Sequence, residues 1–148
     1  MKNLLLDFTG IKITAHARKV EKQDFAAMQV LLIVAVDSMD TRASILEYIR
    51  TAWGHRIELV IDPRMGAEEY MMYSYKPPEY IAYSKTLYPD SEVEVPRCTA
   101  KSTIYTATLA AGLIVKNIKA YLTGNKVAKT TIWPITQCGI SDLKQWEL

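Results

Sequence analysis

VLLIVAVDSMDTR, residues 30–42, is the stretch that decides the fold of this 148-residue chain. Its first seven residues are continuously apolar and mostly β-branched, which is typical of a parallel strand covered on both faces. Polar residues that favour a helix start follow at once, and apolar residues at spacings of three and four then lead to Gly54. We therefore predict a central strand over Val30–Val36, a turn, and a helix over about Thr41–Trp53.

The rest of the chain supplies further strands and one long helix. Ile11–Val20 alternates apolar and polar residues as a half-buried strand does, and Arg56–Ile61 is a second strand, ending at a proline. Helical spacing returns over Ser102–Leu122, a strand is expected over Thr130–Ile135, and the proline-rich region Pro77–Pro96 is predicted to be irregular. The residues that the long helix is expected to turn inward are Ile104, Leu109, Leu113, Ile114, Ile118 and Tyr121. The sequence thus predicts one α/β domain over residues 1–148, with a partial Rossmann-like mixed sheet flanked by helices.

Composition limits the classes of partner. The 18 basic and 16 acidic residues are dispersed, without a run of like charges that could follow a phosphate backbone, so we expect neither nucleic acid nor a membrane as partner. The longest apolar stretch is far shorter than the roughly 20 residues that span a bilayer, and we expect a cytoplasmic protein. The two cysteines, Cys98 and Cys138, are too few for a four-cysteine zinc site.

Asp37 is the first candidate for chemistry, because it directly follows the predicted buried strand. Ligands of doubly wound sheets bind beyond the carboxyl ends of the strands, and a carboxylate there can coordinate the Mg²⁺ of a bound nucleotide. The alternative interpretation is that Asp37 or Asp40 only caps the helix that follows. Spacing leaves both interpretations open.

Three blocks in succession carry a resemblance to a known family. Residues 36–42 (VDSMDTR), 61–68 (IDPRMGAE) and 96–107 (PRCTAKSTIYTA) resemble signatures of the ThiF/MoeB/HesA proteins. These use ATP to adenylate the carboxy terminus of a ubiquitin-like or sulfur-carrier protein, and the resemblance extends over about Ile11–Asn125. It implies that Asp37 contacts Mg²⁺-ATP as a metal ligand, that Arg42 belongs to the same cofactor-binding motif, and that a carrier protein is the partner.

Cys98 is the candidate nucleophile. It stands between Arg97 and Lys101 before the predicted long helix, where positive charge and helix amides lower a thiol pKa. A lone cysteine before a helix is also often a small buried apolar residue. The resemblance implies that Cys98 forms the thioester or persulfide linkage with the carrier, and both interpretations stay open. Cys138, His16, His55, Arg64 and Glu68 are interpreted as structural or surface residues, and the tyrosines between 70 and 88 as packing residues or a recognition surface.

The chain departs from the family in its glycines. They stand at positions 10, 54, 66, 112, 124 and 139, and none of them forms the G-x-G-x-x-G loop that holds nucleotide phosphates. We therefore expect the carboxy-terminal half of the ThiF-type fold, truncated on the amino-terminal side and covered by a second copy or a partner chain. The alternative function is a non-catalytic assembly or carrier-binding module. A nicotinamide-dependent protein is a weaker possibility, since it needs the same glycine loop.

Overall fold

The computed structural model describes residues 17–18, 30–50, 57–66, 69–92, 104–134 and 144–146. The strands within these ranges are β1 (Val30–Ile33), β2 (Ile57–Gly66), β3 (Glu69–Tyr75), β4 (Thr130–Pro134) and β5 (Lys144–Trp146). The helices are α1 (Met39–Tyr48), α2 (Tyr80–Ser84) and α3 (Ile104–Leu122), with single 3₁₀ turns at Pro77–Glu79 and Asp90–Glu92. The predicted strand over Ile11–Val20 falls almost wholly outside the described residues.

The strands form one mixed sheet in the order β1-β2-β3-β4-β5. β1 pairs in parallel with β2, and each later neighbour is antiparallel, so the predicted mixed α/β sheet with flanking helices is confirmed. The central position predicted for the strand over Val30–Val36 is wrong for the described sheet, where β1 stands first in the order. β3 lies at the centre of the described sheet, between β2 and β4.

β2 is longer than its sequence suggested. The strand was expected to end at Asp62-Pro63, yet it continues to Gly66, and β3 returns beside it. A proline inside a strand removes one ladder hydrogen bond. The last residue of β2 that pairs with β1 is Ile61, so Pro63 lies beyond that pairing and its missing N–H interrupts no ladder bond with β1. Continuation of β2 brings Asp62 and Arg64 into the folded interior.

Helices cover both faces of the sheet. One apolar cluster joins α1 and α2 to the sheet through Leu46, Ile49, Val60, Tyr75 and Tyr83. The other joins α3 to the opposite face, and its buried members are Leu59, Ile61, Tyr70, Met72 and Ala110. This three-layer arrangement explains why β2 is almost continuously buried, as a strand between two helical layers should be.

α3 confirms the long helix and part of its predicted inner face. Ile104 is 85% exposed rather than inward, because it lies at the first helical residue, before the helix reaches the sheet. Leu113, Ile114, Ile118 and Tyr121 do pack on the sheet side. The helix ends at Leu122, and Gly124 follows it with a φ of +70°, the left-handed conformation of a terminating glycine. No helix in the described part of the chain is long and apolar enough to cross a bilayer.

The proline-rich region is more regular than expected. Pro77–Glu79 forms a 3₁₀ turn that leads directly into α2, and the region was predicted to be irregular. Two consecutive prolines suit the first positions of a helical turn, because their fixed φ is helical and their missing N–H groups would be unpaired there in any case. The strand predicted over Thr130–Ile135 is confirmed as β4, whereas β5 had not been predicted.

Candidate functional site

The candidate site lies where β1 gives way to α1. After Ile33 the chain stays beside β2 for one more residue, because the amide of Val34 donates to the carbonyl of Ile61 at 2.9 Å. Asp37 follows, with an exposed side chain, and α1 begins two residues later at Met39. Asp37 therefore lies beyond the carboxyl end of a parallel strand, which is the edge where its sequence position predicted it.

The N-cap of α1 is Ser38, rather than Asp37 or Asp40. Its backbone is extended, and its hydroxyl oxygen accepts a hydrogen bond from the amide of Thr41 at 3.0 Å. The interpretation of Asp37 or Asp40 as the helix cap is therefore wrong. The hydroxyl of serine reaches the third amide of the helix from the N-cap position, where Ser38 stands. Helix capping consequently gives no account of Asp37.

A second carboxylate reaches the same helix end from a distant part of the chain. Oδ1 of Asp90 accepts from the amide of Met39 at 2.6 Å, and Oδ2 accepts from the hydroxyl of Ser38 at 2.8 Å. The hydrogen bonds from Ser38 and from the backbone of Met39 hold the pKa of Asp90 below its ordinary value. The 3₁₀ turn at Asp90–Glu92 is thereby fixed against the turn that carries Asp37.

Arg42 is buried and bound to protein groups. Its Nε donates to Oδ1 of Asp62 at 2.8 Å, and its Nη2 donates to the carbonyl of Val36 and, at 3.4 Å, to that of Pro63. Only 5% of the residue is exposed. These contacts tie the residue that precedes Asp37 to β2. The nucleotide contact that the resemblance implies for Arg42 stays a prediction, and its contacts in the described chain are structural.

Asp62 is the centre of this polar network, with no exposed surface. Its second oxygen, Oδ2, accepts from Nε of Arg64 at 2.8 Å and from the hydroxyl of Tyr83 at 2.9 Å. Arg64 also donates to the carbonyl and hydroxyl of Thr86, so the scaffold interpretation of Arg64 is confirmed. Burial opposes the charge of Arg64, but the attraction of Asp62 outweighs it and raises the pKa of Arg64. Burial, aided by the charge of Asp62, also raises the pKa of Tyr83.

The tyrosines between residues 70 and 88 serve mainly in packing. Tyr70, Tyr75 and Tyr83 are buried, and the rings of Tyr75 and Tyr83 stack with centroids 4.2 Å apart. The guanidinium of Arg64 lies 4.5 Å from the ring centroid of Tyr73, within the range of a cation–π contact. A continuous tyrosine recognition surface is therefore excluded for these residues, although Tyr88 is exposed.

The described residues provide only part of a metal site. Within them, no group of three or more His, Cys, Asp or Glu side chains could hold a metal ion. Asp37 can supply a single carboxylate ligand. That is compatible with Mg²⁺ that keeps several waters and is held mainly through nucleotide phosphates. It does not make a metal site that is complete without a nucleotide.

The remaining predicted residues lie outside the described part of the chain. These are Cys98, Cys138, His16, His55 and Glu68. Sequence reasoning missed two residues that the structure brings together at the site, namely Asp62 and Asp90, and it interpreted Tyr83 only as one of the packing or recognition tyrosines. The sequence pattern could have indicated Asp62, because it lies two residues from both Val60 and Arg64 and so shares one face of the strand with them. No sequence pattern indicates Asp90, since its contact joins residues more than fifty positions apart.

Fold and site together define the class of this chain as an α/β protein with an exposed carboxylate at the carboxyl end of a parallel strand. Comparison of the sequence with protein-family models gives no matching family, and no curated protein matches it. The proposals that follow therefore depend on the resemblance of the three sequence blocks and on the geometry of the described residues.

Proposed function

We propose that this chain is part of an ATP-dependent adenylyltransferase of the ThiF/MoeB/HesA type, which activates the carboxy terminus of a ubiquitin-like or sulfur-carrier protein. The observation that carries the proposal is the position of Asp37, an exposed carboxylate at the carboxyl end of β1. Two contacts fix the turn that carries Asp37, one between Arg42 and Val36 and the other between Asp90 and Ser38. A fixed turn with a free carboxylate suits a metal-bound nucleotide.

The proposed chemistry has two steps. A carboxylate oxygen of the carrier attacks the α-phosphorus of ATP, which forms an acyl adenylate and releases pyrophosphate. In the second step the Cys98 thiolate attacks the acyl carbon, forming a thioester and releasing AMP. Mg²⁺ would neutralise charge on the phosphates, and Asp37 would supply one of its ligands. The phosphate cradle of this proposal lies outside residues 1–148, because these residues contain no glycine-rich loop.

The outer edge of β1 is a surface that a second copy or a partner chain could cover. β1 is apolar throughout and pairs only with β2 within the described sheet, and Ile33 is 42% exposed. Edge strands of stable monomers usually carry charges or prolines that prevent pairing with another chain, and β1 carries neither, although its register with β2 shifts between Val30 and Leu31. We therefore propose that a second copy or a partner chain covers this edge.

A non-catalytic assembly or carrier-binding module is the second candidate. Two observations favour it. The guanidinium of Arg42 is already engaged with Asp62 and two carbonyl groups, and Asp37 is a lone metal ligand among the described residues. A chain of this kind would bind the carrier protein without exchanging pyrophosphate into ATP.

Pyrophosphate exchange separates the two candidates. The chain is combined with Mg²⁺-ATP, a candidate carrier and a partner chain, and labelled pyrophosphate incorporated into ATP is measured. The enzyme proposal expects exchange that Asp37→Asn abolishes and that Asp40→Asn, an exposed acid in the first turn of α1, leaves intact. If the carrier binds without pyrophosphate exchange, and Asp37→Asn does not change that binding, the enzyme proposal is contradicted and the binding module is supported. By itself the chain is expected to bind Mg²⁺-ATP weakly, and a sub-micromolar dissociation constant by calorimetry would contradict this.

A further inference from the structure

A small pocket lies between β3, α2 and the segment before β4. Its volume is about 300 Å³, at the lower end of the roughly 300–1,000 Å³ that small-molecule pockets have. Three aromatic rings, one small residue and two opposite charges line it: Tyr73, Tyr75, Tyr83, Ala82, Glu79 and Lys129. None of these residues belongs to the turn that carries Asp37. The pocket therefore has room for a ligand of amino-acid size, and its walls are not part of the proposed nucleotide edge.

The aromatic wall of the pocket is rigidly packed. The rings of Tyr75 and Tyr83 stack with centroids 4.2 Å apart, and the ring of Tyr73 meets that of Tyr83 edge-on at 6.3 Å. Tyr75 is only 6% exposed, yet its hydroxyl has no hydrogen-bond partner among the described residues. Tyrosine hydroxyls on buried rings usually find a partner. The wall thus offers aromatic surface to a flat apolar group and one unused hydroxyl to a polar one.

The two charges of the pocket are held in place by the backbone. Oε1 of Glu79 lies 2.7 Å from Nζ of Lys129, and Oε2 accepts from the amide of Lys76 at 2.9 Å. The carbonyl of Lys129 accepts in turn from the amide of Ser74 in β3 at 2.7 Å. The hydrogen bond from Lys129, followed by that from the Lys76 backbone, lowers the pKa of Glu79, so its carboxylate is charged at neutral pH. The pocket therefore presents one positive and one negative group at fixed positions.

Both charged groups keep capacity for a ligand while they remain paired. An ammonium group has three donor hydrogens, and Glu79 uses one of those of Lys129. A carboxylate accepts about four hydrogen bonds, and Glu79 accepts two here. A ligand that carries both a carboxylate and an ammonium group can bind both residues at once. A ligand with one charge would use only one of them and would leave the pocket with a net charge.

We infer that this pocket binds a free α-amino acid with an aromatic side chain. Lys129 binds its carboxylate, Glu79 binds its ammonium group, and the rings of Tyr73, Tyr75 and Tyr83 contact its side chain, since aromatic rings stack or meet edge-on. The inference is independent of the role proposed for Asp37 and assigns a second ligand to the chain.

NMR titration of the ¹⁵N-labelled full chain with L-phenylalanine tests the inference. L-phenylalanine at millimolar concentration is expected to shift the amide signals of Ser74 and Ala82, which line the pocket. Phenethylamine lacks the carboxylate, hydrocinnamate lacks the ammonium group and L-alanine lacks the ring. Each of these three should bind about tenfold more weakly or worse, because each loses one of the three contacts.

Substitutions locate the binding and separate the two charges. Ala82→Trp fills the pocket from an exposed position and should abolish the response. Lys129→Met keeps an unbranched side chain and should weaken L-phenylalanine about tenfold without weakening phenethylamine, which has no carboxylate for Lys129 to bind. Lys116→Met, which removes an exposed lysine of α3, is the matched control and should behave as wild type.

Three outcomes would overturn the inference. The first is a wild-type chain whose pocket signals do not respond to L-phenylalanine. The second is equal affinity for L-phenylalanine, phenethylamine and hydrocinnamate, which would exclude recognition of both charges. The third is an unchanged response in Ala82→Trp, or in Lys129→Met should the tryptophan variant not fold, which would place the binding elsewhere.

Discussion

The Nε atom of Arg42 lies 2.8 Å from Oδ1 of Asp62, and the two side chains are only 6% and 0% exposed. Arg64 approaches the other oxygen of the same carboxylate at 2.8 Å. One buried negative charge therefore serves two guanidinium groups, which in turn hold the turn before Asp37 and the segment at Thr86. The positions of the turn before Asp37 and of the segment at Thr86 therefore depend on this ion cluster.

Neutralising Asp62 should destabilise the fold severely. Asp62→Asn leaves two buried guanidinium groups without a counter-charge, and breaking a buried pair costs about 3–5 kcal/mol. Urea unfolding followed by circular dichroism measures the loss. Glu47→Gln, which breaks the exposed pair with Arg50, is the control and should leave the free energy of unfolding nearly unchanged. Equal effects of the two substitutions would contradict a structural role for the buried cluster.

Two glycines should respond to alanine in opposite directions. Gly124 has a φ of +70°, which an alanine adopts only with strain, so Gly124→Ala should cost about 1 kcal/mol of stability. Gly112 lies inside α3 with nothing within 4 Å of a new Cβ, so Gly112→Ala should stabilise by up to about 1 kcal/mol. Thermal unfolding of both variants checks the signs. A Gly124→Ala chain as stable as Gly112→Ala would exclude the left-handed helix end.

The Glu79–Lys129 pair should make a pH-dependent contribution. Glu79 accepts from Lys129 at 2.7 Å and from the amide of Lys76 at 2.9 Å, and these contacts lower its pKa from the ordinary 4.5. A lowered carboxylate pKa stabilises the fold above the unfolded-state pKa, and this stabilisation is lost as pH falls through the folded-state pKa.

The wild type should therefore melt at a higher temperature than Glu79→Gln at neutral pH. The difference should shrink as the pH is lowered below about 4.5, the ordinary pKa of the group. Melting curves across this range test it. Glu92→Gln is the comparison for an exposed carboxylate, and its difference from wild type should stay small throughout. A Glu79→Gln difference that is constant with pH would show that the ion pair is not its cause.

The apolar edge of β1 should drive self-association or association with a partner. Light scattering at micromolar concentration is expected to give at least a dimer. Ile33→Lys places a charge on the strand and should shift the chain toward the monomer, because charges on edge strands oppose pairing. Ile81→Lys changes an isoleucine of α2 that is 59% exposed and should have no such effect. A compact wild-type monomer would contradict this prediction.

Cys98 should react as a nucleophile. If it accepts the acyl group, its thiol is ionised near neutral pH and alkylates with iodoacetamide faster than Cys138. In the reconstituted system, Cys98→Ala should retain pyrophosphate exchange and lose the thiol-sensitive carrier adduct, because only the second step uses sulfur. Cys138→Ala is the matched control and should retain both. An adduct that persists without Cys98, or a Cys98 inert to iodoacetamide, would remove the nucleophile assignment.

Local pattern predicted β1, the helix that follows it and the end of α3, because the information for each lies within a few neighbouring residues. The apolar run at β1, the helix start after it and the glycine that ends α3 are each short-range signals. The extent of β2 was not predicted, since Pro63 ordinarily ends a strand. β2 continues past Pro63 because it pairs with β3 as far as Gly66. Pro63 is tolerated because pairing with β1 stops at Ile61.

The sequence by itself determined the α/β character of this protein and placed Asp37 at a strand's carboxyl end, because apolar periodicity and helix-start residues act locally. The tertiary structure alone decided what surrounds that carboxylate. Asp62 binds Arg42 and Tyr83, and Asp90 binds the start of α1, through contacts between residues 20 to 52 positions apart. Buried charges must be paired by whatever groups the fold brings within hydrogen-bonding distance. Those partners depend on strand register and helix placement, which no local sequence pattern encodes.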